Sequence, residues 1–390
     1  MCIPTDEDSK ESKSAILTAL IIGEIIMKLK ATEVVEAVLH NLIHCVESTP
    51  LIIGSPAIGK TALSYSVLQL YADYLKLKVI RGVRGIPDHN ITPKKNELGY
   101  CGFRLGLYET IDFGGVPIVE KTKDNRYLQK RALLDNLPTD PNSKGILLCD
   151  EIPQASPALQ NIFRQLIFEG RIGTDYKLPI GWKVLMAGNL SSDRAGSNRL
   201  LTHFQSACLR LELVPDPKEW LNWAYQNDIH ADILAFISFQ PQFLHQFDPK
   251  QEGGFPAPRT WHQSSEFLSG EPRQTLIQPV LEAYLGEVCA REFQTFCAFQ
   301  NDLESPKKIL SDPKKAKLPE RTELQYASVA SLLSAVKNSK DFENALTYVN
   351  RFDAKEYAVL FVKALTTKEK SFKKTKVFID WHIKNQDILV

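Results

Sequence analysis

The sequence has no charge excess of either sign: 47 Lys and Arg stand against 46 Asp and Glu, a formal net charge of +1. Without a global field, composition names neither nucleic acid nor an anionic membrane as a partner, and only local patches remain open. It also lacks a C-x-x-C pair. Its 7 cysteines, at 2, 45, 101, 149, 208, 289 and 297, sit mostly in apolar surroundings such as Leu148-Cys149-Asp150 and Thr295-Phe296-Cys297. That placement predicts buried thiols in a reducing compartment rather than a zinc site or a disulfide framework. Long hydrophobic runs are missing too. The longest, Ala15 to Met27, contains Glu24 and follows a mixed-charge start (Asp6, Glu7, Asp8, Lys10, Glu11, Lys13) unlike a signal sequence, so no membrane association and a cytoplasmic location are expected. There is no internal repeat. What remains is an ordinary globular composition, 44% hydrophobic and 24% charged over 390 residues, with room for a main domain of ~200 residues and one or two smaller ones.

Periodicity organises the chain into two parts. Residues 32–47 carry apolar side chains at helical spacing, with Thr32 as the N-cap, and a short apolar strand follows at Pro50 to Ile53. That strand runs into Gly54-Ser55-Pro56-Ala57-Ile58-Gly59-Lys60-Thr61, a helical segment from Ala62 to Leu75, and a second strand from Leu77 to Arg81, which is a βαβ unit. Further buried strands are expected at 145–149, 183–187 and 208–213, with a helix at 156–169 between the first two. Such alternation implies an α/β fold, a parallel sheet sandwiched by helices. Beyond Pro215 and Pro217 helical patterns take over, at 218–227, 231–238, 259–268, 277–303, 327–335 and 354–365. Two lysine-rich stretches, Lys307 to Lys317 and Lys368 to Lys376, read as exposed connections.

The G-x-x-x-x-G-K-[ST] match at Gly54 to Thr61 occurs in the strand-to-helix context that its chemistry needs. Its glycines let backbone N–H groups converge on phosphate oxygens, and the following helix N-terminus, with Ala62 in its first turn, adds its positive end. Lys60 is expected to reach the outer phosphates of ATP, and the Thr61 hydroxyl to join the shell of Mg²⁺. The buried run Ile146-Leu147-Leu148-Cys149 ends in Asp150-Glu151. Asp150 is then expected to hold Mg²⁺ through water and Glu151 to polarise the attacking water. Asn189, after the strand at 183–187, can orient the same water; alone it reads equally as a turn former.

At these residues the chain resembles the AAA+ ATPases, and within them the MoxR-like branch of bacteria and their phages. The resemblance runs over about 30–300 and more loosely beyond. It rests on the two phosphate and metal motifs, on Asp150 to Gln160 with Glu169-Gly170-Arg171, on Gly188-Asn189, on Asp193-Arg194-Ala195-Gly196 with Asn198-Arg199, on Trp220 to Ala224, and on Phe255-Pro256-Ala257-Pro258-Arg259-Thr260-Trp261. It implies a P-loop NTPase sheet followed by an all-helical lid and a C-terminal helical region. The corresponding boundaries are an N-terminal extension at 1–30, the nucleotide-binding domain at 31–214, the lid at 215–305 and a helical extension at 306–390. It implies that Asn189 is a first sensor of nucleotide and Arg259 a second, on the lid. Two departures stand out. Ala57 occupies a position where the family usually has glycine, and Phe204 to Cys208 holds no arginine where the family's finger usually lies, leaving Arg194 or Arg199 for that role.

The resemblance further implies assembly into a ring, expected to be a hexamer, that turns ATP hydrolysis into remodelling of a protein partner, often one with a von Willebrand factor A domain. Asp112, Gly115 and Pro117 resemble an element that introduces a loop facing the ring's channel, so residues 118–135 are expected to contact a client. Two alternatives are a nucleic-acid motor, for which Lys368 to Lys376 is the sole support, and an ATP-gated switch with little hydrolysis.

Overall fold

The protein is described from a computed structural model, over residues 27–45, 48–82, 86–132, 135–193, 200–201, 208–299 and 303–385. Arg194, Arg199, the segment 204–207 and most of the apolar run at 15–27 lie outside the described residues. Two compact units emerge, one of residues up to Gly54 together with Lys60–Val214, the other of Ser55–Gly59 together with residues from Pro215 onward.

The first unit contains strands β1 (Met27–Leu29), β2 (Thr49–Ile53), β3 (Lys78–Val79), β4 (Glu97–Arg104), β5 (Val116–Lys121), β6 (Tyr127–Ala132), β7 (Gly145–Asp150), β8 (Arg171–Ile172), β9 (Tyr176–Lys177), β10 (Trp182–Gly188) and β11 (Cys208–Leu213). Seven of them form one sheet in the order β1-β11-β2-β10-β7-β4-β3, with every neighbouring pair parallel. Parallel strands are covered on both faces and therefore read as unbroken apolar runs; in β7 all six residues are buried. Helices α1 (Ala31–His44), α2 (Lys60–Leu75), α3 (Thr110–Gly114) and α4 (Pro157–Glu169) cover it. Leu51, Ile53, Leu147, Cys149 and Met186 share a core with Phe113 of α3 and Leu159, Phe163 and Leu166 of α4. The alternate residues Ile52, Ile146, Leu148 and Leu185 are equally buried and point to the other face, where α1 and α2 pack on the strands.

Local chemistry sets the helix ends. Ser156 caps α4 by accepting from the Leu159 N–H at 3.2 Å, Pro157 occupies the first turn, and Gly170 closes the helix at φ 63°. The strands expected at 145–149, 183–187 and 208–213 are present, as is the fold class. Four features differ. The helix expected to be capped by Thr32 begins at Ala31, with Lys30 at its N-cap. The strand expected at 77–81 shortens to β3, continued by a single bridge from Arg81 to Pro87. β4, in the interior of the sheet, was not anticipated: Gly99 and Gly102 weaken its strand signature. Gly99 has a packing reason, because a Cβ there would lie 2.6 Å from the Trp182 ring. Finally, much of the charged stretch at 118–135 is a hairpin of β5 and β6, paired from Val116 with Ala132 to Lys121 with Tyr127. All residues of its two strands are exposed, so no inside-outside alternation betrays it.

The second unit is helical: α5 (Pro217–Gln226), α6 (Ala231–Phe239), α7 (Pro258–Ser269), α8 (Gln274–Leu285), α9 (Glu287–Ala298), α10 (Pro306–Ser311), α11 (Thr322–Ala335), α12 (Ser339–Val349), α13 (Glu356–Lys368) and α14 (Lys376–Lys384). One hydrophobic cluster runs from Trp220 to Trp381. The single helix expected at 277–303 is two helices, α8 and α9, divided at Gly286. That residue takes φ 77°, and a Cβ on it would meet the Gly254 carbonyl oxygen at 2.8 Å, so glycine is required and the helix must break. The stretch expected as an exposed connection at 307–317 contains most of α10, anchored by buried Ile309. Among the described residues no helix is long and apolar enough to cross a membrane.

Candidate functional site

In an open parallel sheet, ligands bind outside the carboxyl ends of the strands. β2, β10 and β7 are consecutive neighbours whose register aligns Ile53 with Gly188 and Cys149 with Met186. Their carboxyl ends therefore bring Gly54, Asn189 and Asp150 to one place. α2 starts immediately after the loop that follows β2, so its first residues, Lys60 and Thr61, face the same crevice.

The hydrogen bonds tie these groups together. Lys60 Nζ donates to the Gly54 carbonyl at 2.8 Å and to Asn189 Oδ1 at 2.8 Å, and the side chain is only 8% exposed. Thr61 Oγ1 donates to Asp150 Oδ2 at 2.7 Å. The other carboxylate oxygen, Asp150 Oδ1, accepts the Glu151 N–H at 2.9 Å, and Asp150 is likewise 8% exposed. A buried ammonium and a buried carboxylate, each fixed by short charge-assisted bonds, form a preorganised polar centre at the rim of an aliphatic sheet. Five residues from three separate segments thus converge: Gly54, Lys60 and Thr61, then Asp150, then Asn189.

Glu151 adjoins Asp150 but turns away from it. Its backbone is left-handed, φ 58° and ψ 33°, and its carbonyl accepts the Gln154 N–H at 2.8 Å. The turn carries its carboxylate toward Gly106, where a Cβ would lie 3.6 Å from Glu151 Oε2 and 3.1 Å from Gln154 Oε1.

Ser55, Pro56, Ala57, Ile58 and Gly59 form the loop itself and group with the second unit. Gly59 takes φ 99° with open space where a Cβ would stand, which suits close approach of a ligand to the backbone. Ala57 takes φ 61°, a left-handed conformation that costs a side-chain-bearing residue ~1–2 kcal/mol. The departure from glycine seen in the sequence is therefore a point of strain. Arg259 lies in the first turn of α7, and its N–H donates to the Ala57 carbonyl at 3.1 Å. Ala62 occupies the first turn of α2, where its carbonyl accepts from Ser66 Oγ at 3.3 Å.

One group nearby escaped the reading of the sequence as a site residue. Asp193 ends the short 3-10 turn Ser191–Asp193 that follows Asn189. It is 7% exposed, and its Oδ2 has no hydrogen-bond partner among the described residues. Burial pushes its pKa up, against hydrogen bonds from the Leu190 backbone and Ser192 and the positive charge of Lys60. No periodicity or composition signal marks such a residue, since its burial follows from the packing of a loop.

No family model matches the chain, and no curated protein matches it. Among solved structures it is similar to NtrX from Brucella abortus in complex with ADP, at 13% identity and TM-score 0.39, over 94% of this chain and 74% of that one. It is also similar to a RuvB variant from Thermotoga maritima, at 13% identity and TM-score 0.37, over 73% and 76% of the two chains. A full-length MCM homologue from Methanopyrus kandleri shares 13% identity at TM-score 0.28, over 94% and 63%. Likenesses this distant carry no functional argument, which rests instead on the site.

Proposed function

We propose that the chain is an AAA+ type ATPase of the MoxR-like kind that binds ATP with Mg²⁺ at Gly54 to Ala62 and hydrolyses it. The observation that carries this reading is the meeting of Lys60 with Asn189, and of Thr61 with Asp150, at three adjacent strand ends. Lys60, buried and held on two sides, presents its ammonium to the outer phosphates. The loop backbone and the N-terminus of α2 supply N–H donors to the same anion.

The donor set suits Mg²⁺: a hydroxyl and a carboxylate oxygen 2.7 Å apart are hard ligands, and this ion takes one or two carboxylates while keeping water. Thr61 and Asp150 are the residues that hold it, and when bound it neutralises charge developing on the phosphates. Glu151, next along the chain from Asp150, takes the proton of an attacking water on this reading. Asn189 orients that water, and Arg259 senses the phosphate from the helical part, comprising 215–305 as a lid and 306–390 as an extension. Arg194 or Arg199 serves as the finger toward a neighbouring subunit.

On this reading the protein works as a ring, most simply a hexamer, that remodels a protein partner, one bearing a von Willebrand factor A domain being the type the resemblance favours. The exposed β5–β6 hairpin is the element offered to the client. The test pairs two variants in one assay of nucleotide binding and phosphate release. Lys60→Ala is expected to abolish binding. Glu151→Gln is expected to retain it and lose ~10²–10⁴ in turnover. Equal loss of binding in both would refute this division of roles.

A further inference from the structure

Buried carboxylates in folded proteins are as a rule fully hydrogen-bonded, because an unsatisfied charged oxygen is costly. Asp193 departs from that rule. Its Oδ1 accepts a long bond from Ser192 Oγ, 3.4 Å, the Leu190 backbone adds a hydrogen bond to the carboxylate, its Oδ2 has no hydrogen-bond partner among the described residues, and the side chain is 7% exposed. The turn that carries it starts two residues beyond Asn189, the group that accepts from Lys60 Nζ at 2.8 Å. Burial raises the pKa of Asp193, and the charge of Lys60 is a smaller influence that opposes this and favours the ionised form.

An anion held at a cost beside the cation of a phosphate loop is in competition with any second anion that cation binds. We propose that Asp193 is an affinity-setting residue, an internal anion that shares Lys60 with the phosphates of a nucleoside triphosphate and weakens their binding in proportion to phosphate charge. The inference rests on the reading of Lys60 as the phosphate-binding group. The physical basis is Coulombic: a unit charge several ångströms away in a half-desolvated site shifts the binding of another by about an order of magnitude. Asp193 touches no reacting atom on this account. It acts through the negative field it adds near Lys60, whose ammonium donates to Gly54 and Asn189, by repelling the phosphates that approach that ammonium.

The test is calorimetric titration of the full-length protein with ATP, ADP and adenosine, in Mg²⁺, for the wild type, Asp193→Asn, Asp193→Ser, Asp193→Glu and Lys60→Ala. Asp193→Asn keeps the shape and removes the charge, and Asp193→Ser guards against a misfit specific to the amide. Both are expected to bind ATP about tenfold tighter, to bind ADP tighter by less, and to leave adenosine unchanged. Asp193→Glu is expected to stay near the wild type. Unchanged ATP affinity in both neutral variants, or an equal change for all three ligands, would overturn the proposal while Lys60→Ala still abolished binding. A Lys60→Ala protein that bound ATP like the wild type would instead overturn the underlying reading of the loop, and this inference with it.

Discussion

The two compact units build their interiors from different material. In the first, the strand stretches leading to the site are aliphatic, Leu51 to Ile53, Ile146 to Leu148, Leu185 and Met186, with polar groups at their carboxyl ends, and a smaller ring cluster of Phe103, Phe113 and Phe163 lies on one face. In the second, rings dominate: Phe236 lies within 5.6 Å of the rings of Trp261, Phe293 and Phe296, and Phe342 stacks on Phe372 at 4.8 Å. A ladder of parallel strands fixes each strand end to its neighbours through backbone bonds, so side chains there keep a set spacing. Helices packed through aromatic contacts have no such ladder and hold their places by volume and shape. The lesson is that a site needing oxygen atoms 2.7 Å apart belongs on the sheet, while the bulk that stabilises the helical part needs no such spacing.

The contrast can be broken from either side. The largest effect is expected at the sheet, where Lys60→Ala should remove nucleotide binding altogether while far-ultraviolet circular dichroism stays unchanged; a parallel loss of helix signal would show that the strand ends are structural. At the helical unit, Trp261→Ala deletes a fully buried ring and strands the Phe243 carbonyl, which accepts its indole N–H at 2.8 Å. It should cost ~3–5 kcal/mol in denaturant unfolding, and a cost under ~1 kcal/mol would mean that the aromatic core is loosely packed. A smaller, pH-dependent effect is expected at Asp193. Because burial raises its pKa in the folded chain above the ordinary 3.8, the folded form holds the proton more tightly than the unfolded one. Its favourable contribution is then complete below 3.8 and lost as pH rises through the folded value. Asp193→Asn should therefore melt above the wild type at neutral pH, with the gap closing in acid; a gap of constant size would argue against titration there. The smallest effect is expected at Ala57. Glycine there relieves ~1–2 kcal/mol of left-handed strain and forfeits ~0.4–1 kcal/mol of chain entropy, so Ala57→Gly should stabilise by ~0.8 kcal/mol, measurable as a shift in melting temperature.

How legible the molecule was follows the same divide. β2, β7, β10 and β11 were readable because a strand buried on both faces has no polar side to hide its apolar run. The loop at Gly54 to Thr61 was readable because its glycines, lysine and threonine stand at fixed spacing between an apolar strand and a helix, and the structure brings Lys60 to Asn189 and Thr61 to Asp150. β4 was illegible because Gly99 yields its side-chain space to Trp182, which sits far away in sequence. The β5–β6 hairpin was illegible because neither of its faces is buried. Residues 277–303 looked like one helix because apolar spacing continues through Gly286, whose conformation is imposed by the backbone of Gly254. Asp193 could be quoted as part of a motif, but its burial and its unmet oxygen arise only once the chain has folded.

The left-handed backbone of Glu151 has a consequence for how this position can vary. Most side chains resist φ near +58°, and branched ones resist it most; asparagine, aspartate and glycine tolerate it best. The residue that turns the chain out of β7 is thus screened twice, once for its acid and once for its handedness. Variants that remove the acid separate by this second screen. Glu151→Asn should keep the turn at little or no cost, whereas Glu151→Val should disturb the chain path itself, and with it the backbone N–H that holds Asp150.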